Sequence, residues 1–272
     1  GFFKLSTFHI SWSILLLTLI LTLCSALGHR DLTIKTLNLS SSKIQTLSNP
    51  LKIVFITDLH LGLMAGKKTA QQIVSRVELI DPDLLLCTGD LLDGNLAELG
   101  EILSTFKRVN PEMGKYAVTG NHETYIGTKK ATSILEQAGF IVLDNKSATL
   151  ENNIGLLGLN FEDNKNCELE QSLVQDLDPK HYNILLKHAP DLCKKSTKRI
   201  NLQLSGHTHN GQIFPFNLIT KLIYPYISGR YDLDNKSILY VNPGTGSWGP
   251  RMRLGSKREI SVINLKSQRL KR

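Results

Sequence analysis

Five short apolar runs, each ending in a residue type that binds metals, set the pattern of the chain. Ile53-Val54-Phe55-Ile56-Thr57 leads into Asp58-Leu59-His60, and Leu84-Leu85-Leu86-Cys87-Thr88 into Gly89-Asp90. Tyr116-Ala117-Val118-Thr119 leads into Gly120-Asn121-His122-Glu123. Ile184-Leu185-Leu186-Lys187 leads into His188, and Leu202-Gln203-Leu204-Ser205 into Gly206-His207-Thr208-His209. Short apolar runs bounded by turn residues read as buried strands. In α/β sheets ligands bind at the C-terminal edge of the strands, which is where each of these polar residues falls. One such run alone is better explained by a capping Asp and a surface His. Five of them make a metal site the favoured reading.

Between the runs the period changes. Thr69 to Ile80 carries Ile73, Val74, Val77 and Ile80 at helical spacing, and Asp81-Pro82 ends the helix. The same reasoning predicts a strand at 84–88, a helix at 95–107, a strand at 115–119, a helix at 128–138 and a strand at 140–143. This βαβ rhythm implies a largely parallel sheet with helices packed outside. Further strands are expected at 148–151 and 154–160, a helix at 168–177, and strand–ligand units at 182–188 and 201–209. Short strands at 238–242 and 259–264 close the domain. Asn210 to Lys236 reads as the least regular stretch, interrupted by Pro215 and Pro225. Its aromatics (Phe214, Phe216, Tyr224, Tyr226, Tyr231) could wall the site, meet lipid or anchor a loop to the core.

At the other end, no charged residue occurs from Ile10 to Leu27. As a helix that run is roughly 27 Å long, close to one bilayer crossing. A secretory signal, with Lys4 ahead of it and Cys24-Ser25-Ala26 as a cleavage site, is the rival reading, and a buried soluble helix the third. Residue 1 is Gly, so the expectation is a segment truncated at its N-terminus: a transmembrane helix at 1–28, a linker and leading strand at 29–50, and one domain at 51–272. Arg30, Lys35 and Lys43 follow the span while Lys4 precedes it, which favours a single-pass or multi-pass membrane protein with the domain in the cytoplasm.

Charged residues at 21% and hydrophobic residues at 41% exclude a disordered chain. The four cysteines, Cys24, Cys87, Cys167 and Cys193, show no spacing for a zinc site or a disulfide framework. Of the net charge of +8, residues 251–272 carry most: eight cations against the single anion Glu259. Such a tail suits an anionic partner, whether headgroup, phosphorylated substrate or nucleic acid, unless it is a solvated, frayed terminus.

Taken together, Asp58-x-His60, Gly89-Asp90, Gly120-Asn121-His122-Glu123, His188 and Gly206-His207-x-His209 resemble the calcineurin-like metallophosphoesterase family, with all its blocks in order. A membrane-tethered bacterial branch of phosphodiesterases similar to YaeI and YkuE looks closest. Asn242-Pro243-Gly244-Thr245-Gly246-Ser247-Trp248-Gly249-Pro250 and Arg253-Leu254-Gly255-Ser256 resemble its C-terminal signature. The resemblance implies an α/β fold, a four-layer α/β/β/α sandwich, holding two divalent metal ions. Carboxylate, imidazole and amide donors suit Mn, Fe or Zn, with Mg also compatible. It further implies Asp90 as the bridge, Asp58, His60 and His209 at one metal, and Asn121, His188 and His207 at the other. His122 would be the general acid, and Asp93, in Gly89-Asp90-Leu91-Leu92-Asp93, would orient its imidazole. Glu123 reads as structural. Gly62, Gly89, Gly120 and Gly206 read as turn residues that let backbone pass close to the site.

The implied reaction is attack of metal-bound hydroxide on phosphorus in a phosphodiester or pyrophosphate. The apolar span, basic tail and aromatic loop favour a membrane-associated enzyme acting on a phosphorylated small molecule or lipid, such as UDP-2,3-diacylglucosamine. A nuclease is one alternative, although cations gathered at one end and a membrane tether fit nucleic acid poorly. A non-catalytic metal-binding scaffold of the same fold is the other. Protein phosphatase activity is disfavoured by the same features.

Overall fold

The computed structural model describes residues 7–45, 49–62, 64–94 and 96–268. Its first element, α1 (Thr7–Gly28), is a helix of 22 residues, and Ser25 alone of them is buried. A core helix of a soluble protein would be covered by neighbouring elements. This helix is instead long and apolar enough to cross a membrane, and its apolar side chains are bare.

The chain then runs through β1 (Leu32–Ser41), β2 (Leu51–Ile56), β3 (Leu61–Gly62), α2 (Lys67–Ile80), β4 (Leu84–Cys87) and β5 (Leu92–Asp93). Next come α3 (Leu96–Ser104), β6 (Lys115–Ala117), α4 (Asn121–Ile126), α5 (Thr128–Gln137) and β7 (Ile141–Val142). The second half supplies β8 (Lys146–Leu150), β9 (Ile154–Leu159), α6 (Cys167–Val174), β10 (Tyr182–Lys187) and β11 (Leu202–Ser205). It ends with α7 (Phe216–Ile223), β12 (Gly229–Asp232), β13 (Ile238–Val241) and β14 (Arg258–Ser267).

Two six-stranded sheets result, ordered β1-β14-β2-β4-β6-β7 and β12-β13-β11-β10-β9-β8. Most pairs are parallel. The antiparallel ones are β14 with β2, β12 with β13 and β8 with β9.

Alternation along β2 shows how the layers form. Ile53 and Phe55 belong to the core between the sheets, with Leu86, Leu156, Ile184 and Leu204. Val54 and Ile56 belong to the core beneath α2, α3 and α5, with Ile73, Val77, Leu103 and Leu135. Successive strand side chains point to opposite faces, so one run feeds both cores. On the outer face of the second sheet, Leu157, Leu159 and Leu185 pack with Val174 of α6. The order is helices, sheet, sheet, helix, the four-layer sandwich anticipated above.

Three regions differ from the sequence reading. The leading strand joins the first sheet as its edge, parallel to β14 over ten residues of each. The supposedly irregular stretch contains α7, flanked by Pro215 and Pro225 where the chain enters and leaves it, and the short strand β12. The basic tail is no frayed terminus as far as it is described: β14 occupies it, and Arg253 and Arg258 are each 1% exposed. Its last cations, Arg269, Lys271 and Arg272, lie outside the described residues.

Phe55 is fully buried between the sheets. Phe55→Ala should therefore lower stability by about 3–5 kcal/mol. Leu79→Ala, at a site 82% exposed, should stay within about 0.5 kcal/mol of the parent. Urea unfolding in detergent micelles reads both, and equal effects would contradict the layering.

Candidate metal centre

The C-terminal ends of β2, β4, β6, β10 and β11 lie on one edge of the sandwich and deliver Asp58 and His60, Asp90, Asn121 and His122, His188, and His207 and His209 in turn. The turns are tight. Asp58, His60, Asp90, His207 and His209 adopt φ of 53°, 48°, 51°, 70° and 49°. That left-handed region is costly for most side chains and least so for Asp, Asn and His. Backbone bonds between neighbouring turns hold it: Asp58 N–H donates to Gly89 O at 3.0 Å and His60 N–H to Asp90 O at 2.9 Å. The 242–250 loop closes over the same turn, with Gly246 N–H donating to Asp58 O at 2.9 Å. Two glycines are required by space. A Cβ at Gly206 would stand 2.1 Å from Asp58 Oδ2, and one at Gly120 2.2 Å from Asp90 Oδ1.

The side chains form two adjoining groups. Asp58, His60 and His209 offer donor atoms that lie within 4.8 Å of one another, and so do Asp90, His188 and His207. In the first group, His209 Nε2 is 3.0 Å from His60 Nε2 and 3.3 Å from Asp58 Oδ1. In the second, His188 Nε2 is 3.1 Å from His207 Nδ1, 3.2 Å from Asn121 Oδ1 and 3.3 Å from Asp90 Oδ2. A cation about 2.1 Å from each donor sets neighbouring donors about 3.0 Å apart in octahedral and about 3.4 Å in tetrahedral geometry. The observed separations fit that requirement, and the facing atoms belong to carboxylate, amide and imidazole groups, all of which can ligate a metal once deprotonated. Asp90 Oδ2 also reaches the first group, 3.8 Å from His60 Nε2. His122 and Asp93 lie alongside: His122 Nδ1 is 3.2 Å from Asp93 Oδ1, and Nε2 is 4.0 Å from Asp90 Oδ2. All nine residues singled out in the sequence therefore occupy one region.

Surrounding contacts orient the rings. Thr88 O accepts from His188 Nδ1–H at 2.6 Å, which turns Nε2 towards the centre. His207 Nε2 contacts the Tyr224 hydroxyl at 2.9 Å, turning Nδ1 inward. Glu123 works as a clamp: its carboxylate accepts from the backbone N–H groups of Asp90, Leu92 and Gly120 at 2.8, 3.0 and 2.8 Å. Arg253 Nη2 sits 3.2 Å from His209 Nδ1 and donates to Gly246 O at 2.7 Å. Neither Tyr224 nor Arg253 was assigned to the site from sequence. An aromatic loop and a basic tail were the traces they left there.

Burial holds His60 and His207 down to about 3, and His209 well below the ordinary imidazole value, so these rings are neutral. Burial also pushes the Asp58 carboxyl up to about 6. It acts to raise Asp90 too, but His188, by charge and hydrogen bond, holds that carboxyl well below the usual range. Burial acts to lower His188, yet the Asp90 charge beside it pushes the ring up to about 9.

A cavity of about 610 Å³ opens over His60, Asp90, Asn121 and His122, and its far wall is apolar, with Phe216, Ile219, Ile223 and Trp248.

The model of the calcineurin-like phosphoesterase family matches residues 51–211, and the chain belongs to that family. The family normally binds two divalent metals. An uncharacterized metallophosphoesterase of Aquifex aeolicus is 33% identical over 224 residues, 80% of this chain and 86% of that protein. A Bos taurus transmembrane protein with metallophosphoesterase domain is 32% identical over 243 residues, 80% of this chain. The chain spans 54% of that bovine protein and 62% of a Campylobacter jejuni relative that is 34% identical. YkuE of Bacillus subtilis, an uncharacterized metallophosphoesterase, is 33% identical over 230 residues. Among solved structures, a dimetal phosphatase from Danio rerio aligns with a TM-score of 0.55 over 79% of this chain and 99% of that one. Its identity is 10%, so that likeness is one of fold.

With its pKa raised to about 9, His188 is protonated at pH 7.5, and a cation entering the second group must displace that proton. Calorimetric metal titration in buffers of different ionisation enthalpy should show release of about one proton at pH 7.5 and affinity rising with pH towards 9. Binding without proton release would contradict metal uptake at His188.

Proposed function

We propose that the protein is a metal-dependent hydrolase of phosphodiester or pyrophosphate bonds. In this reading Asp58, His60 and His209 would hold one cation, Asn121, His188 and His207 would hold the other, and Asp90 would serve both. The observation that carries it is Asp90 Oδ2, placed 3.3 Å from His188 Nε2 and 3.8 Å from His60 Nε2, so that one carboxylate serves both groups. When bound, divalent cations such as Mn, Fe or Zn supply an activated water near neutral pH and positive charge for the phosphoryl oxygens.

This chain's own residues do the rest. Asp93 accepts from His122 Nδ1–H at 3.2 Å, which orients the ring and leaves Nε2 to hold a proton on the side of Asp90. His122 gives that proton to the leaving oxygen. Tyr224 and Thr88 keep His207 and His188 in their binding tautomers. The large cavity favours esters that carry a sizeable second substituent beyond the phosphate. Its apolar wall favours an acylated one, of which UDP-2,3-diacylglucosamine is one example. The α1 helix would anchor the domain at a membrane, on the cytoplasmic side by the excess of Arg30, Lys35 and Lys43 after the span. Burial of Arg253 and Arg258 removes two cations that a nuclease would need on its surface. A full set of donors argues against a non-catalytic scaffold.

Turnover of bis-p-nitrophenyl phosphate with Mn²⁺ should be abolished in Asp90→Ala, and persistence there would contradict the shared carboxylate. His122→Asn should lower kcat by about 10²–10⁴-fold on alkyl diesters. The loss on the nitrophenyl ester should be smaller, since that leaving group departs without a proton. Equal losses on both would remove His122 from the role of acid. Faster cleavage of an acylated sugar pyrophosphate than of its deacylated form tests the lipid preference.

A further inference from the structure

The helix α7 is amphipathic the wrong way round for a water-soluble surface. At about 100° per residue, Leu218, Leu222, Ile219, Ile223 and Phe216 form one arc of roughly 160°, and Asn217, Thr220 and Lys221 form the opposite side. In a helix on a soluble domain the apolar arc faces the core. Here no residue of α7 is buried, and every residue of the apolar arc is more than half exposed, Leu222 reaching 87%. On the polar side Lys221 is exposed, while Asn217 and Thr220 are turned to the protein. Asn217 packs so closely on Gly211 that a Cβ there would meet Asn217 N and Cα at 2.2 Å, and Asn217 and Thr220 are less exposed than their apolar neighbours. An eight-residue helix whose apolar arc has no core to pack against is marginal in water. Its surroundings must be apolar.

What covers it follows from where α1 ends. In the last turn of α1, Ser25 O accepts from Arg253 N–H at 2.8 Å. The next residue, Leu254, accepts through its carbonyl from Phe214 N–H at 2.8 Å, two residues before α7 begins. Trp248, 57% exposed, is bonded to the same segment: its N–H donates to Gln212 Oε1 at 2.9 Å, and its carbonyl accepts from Gln212 Nε2 at 2.7 Å. If α1 crosses a bilayer, its last turn lies at the headgroup level, and the segments hydrogen-bonded to that turn carry α7 and Trp248. Trp is enriched there, and helices with one broad apolar face lie flat in it.

We infer that α7 lies in the membrane–water interface with its apolar arc turned into the lipid, so that the cavity over the metal centre opens towards the bilayer. The inner edge of the arc (Phe216, Ile219, Ile223) is the cavity wall, and the outer edge (Leu218, Leu222) continues away from it. A phosphoester held by its acyl chains could reach the centre without leaving the membrane. That consequence rests on the phosphoesterase reading, whereas the placement of α7 does not.

The test uses the full chain in nanodiscs of phosphatidylcholine and phosphatidylglycerol. A nitroxide is attached at Leu222→Cys, with Cys24→Ser and Cys167→Ser as background. Collisions with dissolved oxygen are expected to exceed those with a water-soluble nickel chelate, and Leu218→Cys, one turn away, should behave alike. Nickel dominance at both positions would place α7 in water and overturn the inference. So would spin–spin broadening that disappears on dilution with unlabelled chain, because a second copy would then be the cover. Turnover of bis-p-nitrophenyl phosphate by the same samples reports separately on the phosphoesterase reading.

Discussion

Asp58, His60, Asp90, His188, His207 and His209 point oxygen and ring-nitrogen atoms at one another across 3.0 to 3.8 Å, in a place from which water is largely excluded. Buried carboxylates without compensating positive charge are strongly unfavourable. Here the protein's own cations do not stand between the two groups: Arg253 lies behind His209, and the proton that His188 takes up from its pairing with Asp90 serves the second group. The arrangement is organised for charge supplied from outside. Everything else in the domain can be read as holding these donors still while they wait for it.

The sandwich does this with strand ends. Each ligand turn follows a strand buried along nearly its whole length, so its position is set by packing on both faces. Left-handed backbone at the ligands is tolerated because the turns after β2 and β4 bond to each other and the 242–250 loop bonds to both Asp58 and Thr57. Glu123 ties the Asp90 and Gly120 turns through three backbone donors, which makes it as necessary to the geometry as a ligand and chemically silent. Lys187 and Glu170, both buried and paired at 2.8 Å, fasten α6 to the end of β10 one residue before His188.

The strands and the ligand residues were legible because a buried strand leaves an unbroken apolar run and a ligand turn leaves a polar block directly after it. Glu123 was legible as structural for the same reason, since it sits one turn into a helix whose first residues do the chemistry. α7 was not legible. Asn217 and Thr220 on its polar face meet the protein while its apolar arc stays more than half exposed, so its pattern signals no core, and two prolines suggest a loop. The tail misled in the opposite sense. Arg253 and Arg258 look in sequence like members of a surface patch, whereas Gly246 O and Ser256 Oγ take up the guanidinium of one and Thr245 O that of the other. Burial of an arginine depends on which carbonyls and hydroxyls the fold turns towards it, and the run of cations in the sequence does not show that.

Asp90 at the junction of two donor groups is the point on which the rest turns. Crystals of the Mn²⁺-loaded protein, measured at the manganese absorption edge, address it directly. Two anomalous peaks about 3.5–4 Å apart, with Asp90 Oδ2 in contact with both, are the expected result. A single peak, or a pair that leaves Asp90 uncoordinated, would contradict a shared carboxylate and with it the two-cation centre.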